Sequence, residues 1–558
     1  FAVAEDGVQE MLRLKAVAQG TDGDYRIKDS KALRRFAARY EVPTVDREDA
    51  AIALDLANAF LAEFAAQEAL LRTLRLAPLK QQAIWEQTGI APKGIDRMCV
   101  ESMHRTHMGV DHDYRNLLLQ AFRTALADGW GGSRIGSMVS DILFGTPVPV
   151  QARANLGVLE PRQVNVIVHG HEPALSEMLA IACRDPDVVA YAKAAGAEGV
   201  NLAGLCCTAN EILMRHGIPS AGNFSQQELA IVTGAVEMMV VDVQCIMPSL
   251  PQVAAAYHTE IVSTADVAKT IGATHVHFET DHALESAKDL LKRAIDRYAL
   301  RDPAKVAIPA PQSRLVAGFS VEAIRTMLGG TYRASFRPLN DAIIQGRIRG
   351  VCGIVGCNNP RTQADSYINH LVLELVRRNV LVLQTGCAAH ASAKAGVLTP
   401  ETALREAGAS LREVCEAVGI PPVLHMGSCV DNARILEAAT EIVMEGGLGD
   451  DISQIPAVGV APEWMSEKAI TIGCYFVASG CDVILGLPFH ISGSDKVTEF
   501  LQGEAQRLFG GAFHDVPDAA QAVDKVLELI ERKRDRLGIN RKLERKLFDM
   551  KDRRELNV

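Results

Sequence analysis

The sequence places a histidine or a cysteine at the end of each of six short apolar runs. The runs are "VNVIVHGH", "GVNLAGLCC" and "MMVVDVQC" in the first half of the chain, and "GVCGIVGC", "NVLVLQTGC" and "PPVLHMGSC" in the second. Each run is typical of a buried β-strand, and ligands of doubly wound α/β sheets bind just outside the carboxyl ends of the strands. We therefore expect one site that collects all six side chains, which are His171, Cys207, Cys245, Cys357, Cys387 and Cys429.

This set of donors indicates a polynuclear metal site. A structural zinc ion takes four ligands, whereas five thiolates and one imidazole are available here, and soft sulfur donors favour zinc, Cu(I) or iron–sulfur assemblies over hard cations. Glycines beside several ligands, as in "HGH", "VGC" and "TGC", would let backbone amides approach the sulfides of a cluster. The residue types therefore predict a metal–sulfur cluster.

Two of the candidates have a competing neighbour. His169 lies two residues before His171 and is the alternative ligand. Cys206 precedes Cys207, and on an extended backbone its side chain would point the other way, so we expect it to pack or to donate a weak hydrogen bond beside the cluster. We interpret the other cysteines, which lie off or beside the strand-end pattern, as structural: Cys99, Cys183, Cys352, Cys415, Cys474 and Cys481.

A second histidine pair stands in "MHRTHMGVDHD", where His104 and His107 lie one helical turn apart. The segment lacks the H-E-x-x-H form of a catalytic zinc site. We expect these two histidines to pack under the cluster or to lie on a proton path.

The elements that must position these residues follow from the periodicity of the chain. Up to about residue 147, apolar residues recur at helical spacing, as in "DAAIALDLANAFLAEFAAQEALLRTL", which predicts an all-α region. From "FGTPVPVQ" onward, Val- and Ile-rich runs alternate with amphipathic helices, and "ALRDPAKVAIPAPQSR" interrupts this alternation. We expect an α/β protein with a helical domain over 1–147 and two Rossmann-like domains with parallel sheets over 148–300 and 301–558.

The composition excludes several classes of function. The 558 residues are 48% hydrophobic and 23% charged with a formal net charge of -10, so no basic surface for nucleic acid is indicated. No apolar stretch reaches the roughly 18–20 residues of a membrane span, and no signal peptide is recognisable, so we expect a cytoplasmic protein. Twelve cysteines are too few for a disulfide-bonded scaffold, which favours free thiols or metal ligands.

The chain resembles the catalytic subunit of the anaerobic nickel-iron carbon monoxide dehydrogenases over nearly its whole length. The likeness begins at "DYRIKD" and is carried by "MHRTHMGVDHDYRN", "TALADGWGGS", "DILFGTP", "VHGHEP", "NLAGLCCTANE", "VVDVQCIMPS", "GIVGCNNPR", "HMGSCVDN" and "APEWMSEKA". The resemblance implies the reversible oxidation of CO with water to CO2, two protons and two electrons. It also implies a Ni-4Fe-4S type cluster, a ferredoxin-like electron carrier and a homodimer.

The resemblance assigns the six ligands to individual metals. His171 and Cys207 would bind an outlying iron, and Cys429 the nickel. The three remaining thiolates would bind the irons of the cubane: Cys245, Cys357 and Cys387.

Further matches concern the substrate. Lys468 in "WMSEKA" matches a lysine that stabilises bound CO2, and Ile472, one turn later, matches an apolar residue that walls the gas pocket. Asp128 in "LADGW" is the best match for an acid that hydrogen-bonds the iron-bound oxygen. Asp141 in "SDILFGTP" is the competing choice.

The chain departs from this family at its N-terminal end. No cysteine precedes Cys99, so the additional 4Fe-4S relay clusters of the family have no ligands in this chain. The places of the family's acid/base and relay histidines fall near Val3, Asp6 and Gln9. We expect a divergent branch in which Asp6 or another titratable group handles protons; a fragment of a longer chain is the alternative.

Two other functions stay open at this stage. One is a hydroxylamine-reductase-like hybrid-cluster enzyme, which should carry a glutamate where Cys207 stands and should lack "GSCVDN". The other is a non-catalytic Fe-S cluster protein that senses CO or redox state, suggested by the absent relay cysteines and histidines.

Overall fold

The N-terminal part of the protein is helical in the computed structural model, which describes the backbone of residues 2–540 and the side chains of residues 8–540. Asp29 and Asp113 cap two of the helices, because their side chains accept hydrogen bonds from backbone amides of the first turn. A π-helical turn, Ala127–Gly132, separates the last two helices. The helices are α1 (Ala2–Gln19), α2 (Ser30–Arg39), α3 (Asp49–Ala65), α4 (Leu79–Thr88), α5 (Ile95–Arg105), α6 (Tyr114–Leu126) and α7 (Ser133–Phe144).

The first sheet has eight strands in the order β7-β6-β5-β2-β3-β4-β1-β8. All neighbours pair in parallel except β1 and β8. The strands are β1 (Val150–Ala154), β2 (Val164–His169), β3 (Val200–Leu205), β4 (Ser220–Gly222), β5 (Val236–Val241), β6 (Glu260–Ser263), β7 (Thr274–His275) and β8 (Ser313–Ala317). The helices of this part are α8 (Pro173–Ala182), α9 (Pro186–Ala194), α10 (Cys206–His216), α11 (Gln227–Val232), α12 (Leu250–Ala254) and α13 (Ala283–Asp296).

The second sheet has six parallel strands in the order β11-β10-β9-β12-β13-β14. The strands are β9 (Gly350–Ile354), β10 (Val380–Thr385), β11 (Val423–Gly427), β12 (Ala457–Ala461), β13 (Asp482–Leu485) and β14 (Phe513–Asp515). The helices are α14 (Val321–Gly329), α15 (Arg337–Ile344), α16 (Ser366–Arg377), α17 (Gly386–Lys394), α18 (Pro400–Glu406), α19 (Ala409–Val418), α20 (Asn432–Glu445), α21 (Glu467–Ala478), α22 (Asp495–Glu499), α23 (Ala505–Phe509) and α24 (Ala519–Arg536).

The predicted fold class, α/β with largely parallel sheets after a helical region, is confirmed. Strands β2, β5 and β10 are buried along their whole length, as the uninterrupted apolar runs require. A division near residue 300 stays a prediction, and β8 adds a segment beyond that point to the first sheet. Among residues 2–540, no helix combines the length and the apolar composition needed to cross a bilayer.

The helical region is docked onto α21 of the second sheet. The indole nitrogens of Trp85 and Trp130 donate to the carbonyl of Ala478 (2.7 Å) and to the hydroxyl of Ser479 (2.9 Å). In the π-helical turn, a Cβ on Gly129 would lie 2.4 Å from the ring of Tyr475, so this close approach requires glycine. The docking brings the π-helical turn against α21 and its neighbouring strand ends.

Candidate metal centre

The six predicted ligands lie at the carboxyl ends of neighbouring strands in the two sheets. His171, Cys207 and Cys245 follow β2, β3 and β5, which are adjacent in the first sheet. The other three follow β9, β10 and β11 of the second sheet: Cys357, Cys387 and Cys429. In the first sheet the three ligands lie on both sides of the point where strand order reverses, between β5 and β2. In the second sheet the order reverses between β9 and β12, so Cys357 after β9 borders that point; α/β folds bind ligands at such points.

Buried hydrogen bonds join the two strand-end groups. On β11, His425 donates from Nε2 to Oδ1 of Asn210 on α10, a distance of 2.7 Å. On α17, His390 donates from Nε2 to the carbonyl of Cys206 at 2.9 Å. The amide of Cys429 points at the sulfur of Cys207, 3.4 Å away. The thiols of the two sheets therefore face each other directly.

The lysine predicted from "WMSEKA" lies among these thiols. Lys468 is the second residue of α21 and is half-buried. Burial acts to lower its pKa, but the nearby thiols of Cys429, Cys207, Cys245 and Cys357 act in the opposite direction and leave the pKa well above its ordinary value. A single ammonium group thus lies within electrostatic reach of four of the five predicted thiolate ligands.

The pKa values of the thiols respond to their crowding. Burial raises the pKa of Cys245 to about 12, and the charges of Cys357, Cys387 and Cys429 add to this rise. Cys429 differs, because its hydrogen bond with Cys207 and the charge of Lys468 lower its pKa to about 6. A group of thiolates held this close needs cationic charge at its centre, which a bound metal supplies.

His171 is oriented so that one ring nitrogen is held by the backbone and the other faces Lys468 in the site. Its Nδ1 donates to the carbonyl of Val243 (2.9 Å), and its Nε2 accepts from Nζ of Lys468 (2.6 Å). Its backbone amide donates to Asp242 at 2.6 Å. A Cβ on the preceding Gly170, where φ is +139°, would lie 1.7 Å from the carboxylate of Asp242, so only glycine permits this turn. The backbone hydrogen bond from Nδ1 is the arrangement typical of metal-binding histidines.

The alternative ligand, His169, has a different position. It ends β2, is fully buried, and donates from Nε2 to the carbonyl of Cys245 at 3.1 Å. Gln227 donates to the same carbonyl at 2.8 Å. Both hold a turn in which Gln244 and Cys245 have positive φ (61° and 54°), a backbone that needs such support. His169 therefore positions Cys245, whereas His171 lines the cavity beside the thiols.

The expected extended backbone at Cys206 is wrong, whereas the expectation that its side chain packs beside the cluster ligands is confirmed. The residue is not extended but starts α10 with a φ of 59°, and its thiol is buried in contact with Cys387 and Phe224. Burial and its hydrogen bond with Cys387 hold its pKa well above the ordinary value. Cys206 and Cys207 thus both face the site, one toward Cys387 and the other toward Cys429.

A small cavity of about 30 Å³ adjoins the thiols, with room for molecules the size of water. It is lined by Asp128, Ser133, His171, Cys207, Glu211, Ser428, Cys429, Val430, Lys468 and Ile472. Ile472 also lines an apolar cavity of about 60 Å³ between α20, α21 and the second sheet. A larger space of about 500 Å³ lies beside Asp128, Cys245 and Lys468.

The structure separates the two candidate acids. Asp128 lies in the π-helical turn, lines the small cavity and accepts from the hydroxyl of Ser133 (3.3 Å). Burial raises its pKa, and the charge of Lys468 opposes that rise. Asp141 is not among the residues lining the cavity; it is buried on α7 in ion pairs with Arg215 and Arg434. The geometry favours Asp128.

Sequence reasoning missed Glu211. It lies one helical turn after Cys207 on α10, it is buried, and its Oε1 accepts from the hydroxyl of Ser428 at 2.5 Å. Burial and the charge of Asp431 raise its pKa to about 7. The signal in the sequence was the spacing of four in "CCTANE", which puts Cys207 and Glu211 on one helix face.

The histidine predictions outside the ligand set have two outcomes. His104 and His107 are exposed at the end of α5 and in the following turn, so the expectation that they pack under the cluster is wrong. Val3 and Asp6 lie outside the residues whose side chains the structure describes, and Gln9 is exposed on α1.

The donor set fits a cluster better than a single ion. Within residues 2–540, no three His, Cys, Asp or Glu side chains are close enough to hold one metal ion together. Yet the five thiols act on one another electrostatically, and four of them act on Lys468. Ligands spread around a common centre at this spacing suit a polynuclear assembly, in which each side chain binds a different metal.

The chain is similar to known proteins over almost its whole length. The model of the Prismane/CO dehydrogenase family matches residues 2–520. Carbon monoxide dehydrogenase 1 of Methanosarcina acetivorans is 48% identical over 529 residues, which cover 95% of this chain and 83% of that protein.

Solved structures agree with this similarity. The nickel-free crystal structure of carbon monoxide dehydrogenase from Thermococcus sp. AM4 is 45% identical with a TM-score of 0.93, covering 96% of this chain and 84% of the other. Carbon monoxide dehydrogenase IV from Carboxydothermus hydrogenoformans is 42% identical with a TM-score of 0.93, covering 96% and 86%. This chain therefore belongs to the Prismane/CO dehydrogenase family.

Proposed function

We propose that this protein is a nickel-iron-sulfur carbon monoxide dehydrogenase, which converts CO and water reversibly to CO2, two protons and two electrons. The observation that carries the proposal is the meeting of five cysteines, His171 and Lys468 at the strand ends of two sheets. The similarity to carbon monoxide dehydrogenases over 95% of the chain supports it. A hydroxylamine-reductase-like enzyme is not supported, since the relatives reported above are carbon monoxide dehydrogenases and Cys207 is a cysteine.

The residues that would hold the cluster are the six predicted ligands. We propose His171 and Cys207 for an outlying iron, Cys429 for nickel, and the remaining three thiolates for the cubane irons: Cys245, Cys357 and Cys387. When bound, the cluster would supply metal sites for CO and water together with the redox change of two electrons. The low pKa of Cys429, about 6, means that its thiol is deprotonated at neutral pH and ready to bind a metal.

Lys468 and Asp128 both line the small cavity, from which we propose that they act on the substrate. The ammonium group of Lys468 stabilises the negative charge that develops on the substrate oxygens as CO becomes CO2. The carboxyl group of Asp128, held by Ser133, accepts a proton from the substrate water. Ile472 and Val430 form the apolar part of the wall, which limits the number of water molecules near the reacting atoms.

The electrons must leave to an external acceptor, for which we propose a ferredoxin-like carrier. The space of about 500 Å³ adjoins Cys245 and Lys468. We propose that the carrier docks there, close to the predicted cluster. We further propose a homodimer, as the family resemblance implies. Analytical ultracentrifugation of the metal-loaded protein measures this state directly.

Anaerobic expression with nickel and iron, followed by metal analysis and a viologen-coupled CO assay, tests the function. We expect nickel and iron in the protein and CO-dependent reduction of the dye. In the variant Cys429→Ala, nickel is lost while most of the iron stays. Cys415→Ala, a buried cysteine in α19 away from the cavity, is the matched control and keeps both metals. The proposal would be refuted if the unaltered protein contained iron without nickel and did not reduce the dye with CO.

A further inference from the structure

Helix α1 carries a buried carboxyl group at Glu10 that the proposed mechanism does not use. The residue is 2% exposed. Its Oε2 accepts from the hydroxyl of Ser140 on α7 at 2.8 Å. Its Oε1 is buried and has no hydrogen-bond partner among the described residues. An unpaired buried oxygen of this kind usually marks an ordered water molecule or a functional group.

On one side, Glu10 is connected to the cavity beside the thiols. Glu211 lines that cavity and is paired with Arg215. The charges of Glu211 and Arg215 both act on Glu10. Arg215 also pairs with Asp141 at 3.1 Å, and Asp141 is the chain neighbour of Ser140, which donates to Glu10. Charged side chains of the cavity wall therefore act electrostatically on Glu10, and Arg215 pairs with the residue that follows the hydrogen-bond donor of Glu10 in the chain.

On the other side, unpaired polar atoms lead from Glu10 toward the surface. The hydroxyl of Tyr25 and Nε of Arg13 are buried without a hydrogen-bond partner among the described residues, and the buried Oδ2 of Asp22 has an ion pair with Nη1 of Arg13 at 3.5 Å. The charges of Asp22, Arg13 and Glu10 all act on Tyr25, so the four side chains lie within electrostatic range of one another. The guanidinium of Arg13 pairs with Asp281, whose side chain is 73% exposed. Buried polar atoms in such a series are usually satisfied by internal water.

We propose that Glu10 is the proton-release group of this enzyme, which takes up protons leaving the cavity and passes them to solvent through water beside Tyr25 and Asp22. The inference rests on the proposed function. In each passage, an O–H bond forms at Oε1 of Glu10 as one breaks on a water molecule that itself receives the proton leaving the cavity. The O–H bond at Oε1 then breaks as one forms on a water molecule on the surface side, which releases the proton to solvent. Two passages per CO account for both protons, and the electrons leave separately to the carrier.

The electrostatic surroundings suit this role. Burial raises the pKa of Glu10 to about 8, the hydrogen bond from Ser140 and the charge of Arg215 act against the rise, and the charges of Glu211 and Glu172 add to it. A group that titrates near neutral pH can both accept and release a proton under working conditions.

The first test needs no metal. Infrared difference spectra of the metal-free protein, recorded between pH 5 and 10 in H2O and D2O, report the carbonyl band of neutral buried carboxyl groups. We expect a band that disappears near pH 8, is absent in Glu10→Gln and is unchanged in Glu63→Gln. Glu63 is the matched control, a buried carboxylate on α3 that accepts from the backbone amide of Arg72 and is not among the residues lining the cavity. A band that persists in Glu10→Gln overturns the proposal.

The second test uses the metal-loaded enzyme. Glu10→Gln should lower kcat for CO oxidation about 10²-fold with an unchanged KM for CO and an unchanged metal content, and Glu10→Asp should restore part of the loss. Glu63→Gln should keep full activity. Full activity of Glu10→Gln at every pH refutes the role of Glu10 and leaves the proposed function standing. If the unaltered protein contains nickel and iron but does not oxidise CO, both the proposed function and the role of Glu10 are refuted.

Discussion

Replacing each of the two candidate acids separately distinguishes a structural carboxylate from a catalytic one. The carboxylate of Asp141 accepts hydrogen bonds from Arg434 at 2.8 and 2.9 Å and from Arg215 at 3.1 Å. The three side chains are only 2–5% exposed. Removing one partner from a buried ion pair costs about 3–5 kcal/mol, because the other charge is left without compensation.

We expect the lower end of that range for Asp141→Asn. Arg434 keeps Asp431 at 2.6 Å, Arg215 keeps Glu211, and asparagine still offers one acceptor oxygen. A loss of about 3 kcal/mol in the free energy of local unfolding makes the open state roughly 10²-fold more populated, so amides exchange faster. Hydrogen exchange of the metal-free protein should show this acceleration for the amides of α7 and α20.

The matched variant Asp128→Asn should behave in the opposite way. Asp128 accepts one long hydrogen bond, 3.3 Å from Ser133, so the exchange rates should stay within a factor of about five of the unaltered protein. Its CO oxidation should fall at least 10²-fold, because the group that receives the proton is gone. If Asp141→Asn left exchange unchanged but abolished turnover, or if Asp128→Asn kept full turnover, our assignment of the two acids would be refuted.

Three further outcomes follow from the site and its surroundings. Lys468→Gln should lower kcat about 10²–10³-fold while the metal content is kept, measured by the viologen assay and metal analysis. Ile472→Phe should raise KM for CO about tenfold, whereas Ile442→Phe, which fills the same apolar cavity away from the thiols, should leave KM unchanged. The contribution of Glu10 to the stability of the metal-free protein should be lost as pH rises from 4.5 to about 8, because in the unfolded chain Glu10 loses its proton at lower pH. The contribution is on the order of 5 kcal/mol, and in urea titrations Glu10→Gln should remove it; the same pH dependence in both proteins would contradict the assigned burial.

Much of the candidate site could be predicted from local patterns. Apolar runs with a Cys or His at their end have a direct structural meaning, because parallel strands bring their carboxyl ends to one edge. The structure puts His171 and the five cysteines at those strand ends. The individual metal assignments stay predictions.

The directions in which side chains point were harder to predict from the sequence. An alternating backbone was assumed at Cys206, but the strand ends at Leu205 and Cys206 adopts a positive φ, so adjacent cysteines face the same site. Helical spacing was assumed for His104 and His107, but α5 ends at Arg105, so His107 lies in the following turn, and both side chains are exposed. Local sequence does not reveal which face of a helix the rest of the molecule covers.

By itself, the sequence determined the α/β class, the family, the donor chemistry and the strand-end position of the ligands, since these depend on residue type and on short-range periodicity. Only the tertiary structure decided that Asp128 lines the cavity while Asp141 pairs with Arg215 and Arg434, and that Glu10 is buried near Glu211. These facts depend on contacts between segments 74 or more residues apart in the chain. Burial and charge at such contacts arise from packing, and packing is a property of the whole fold.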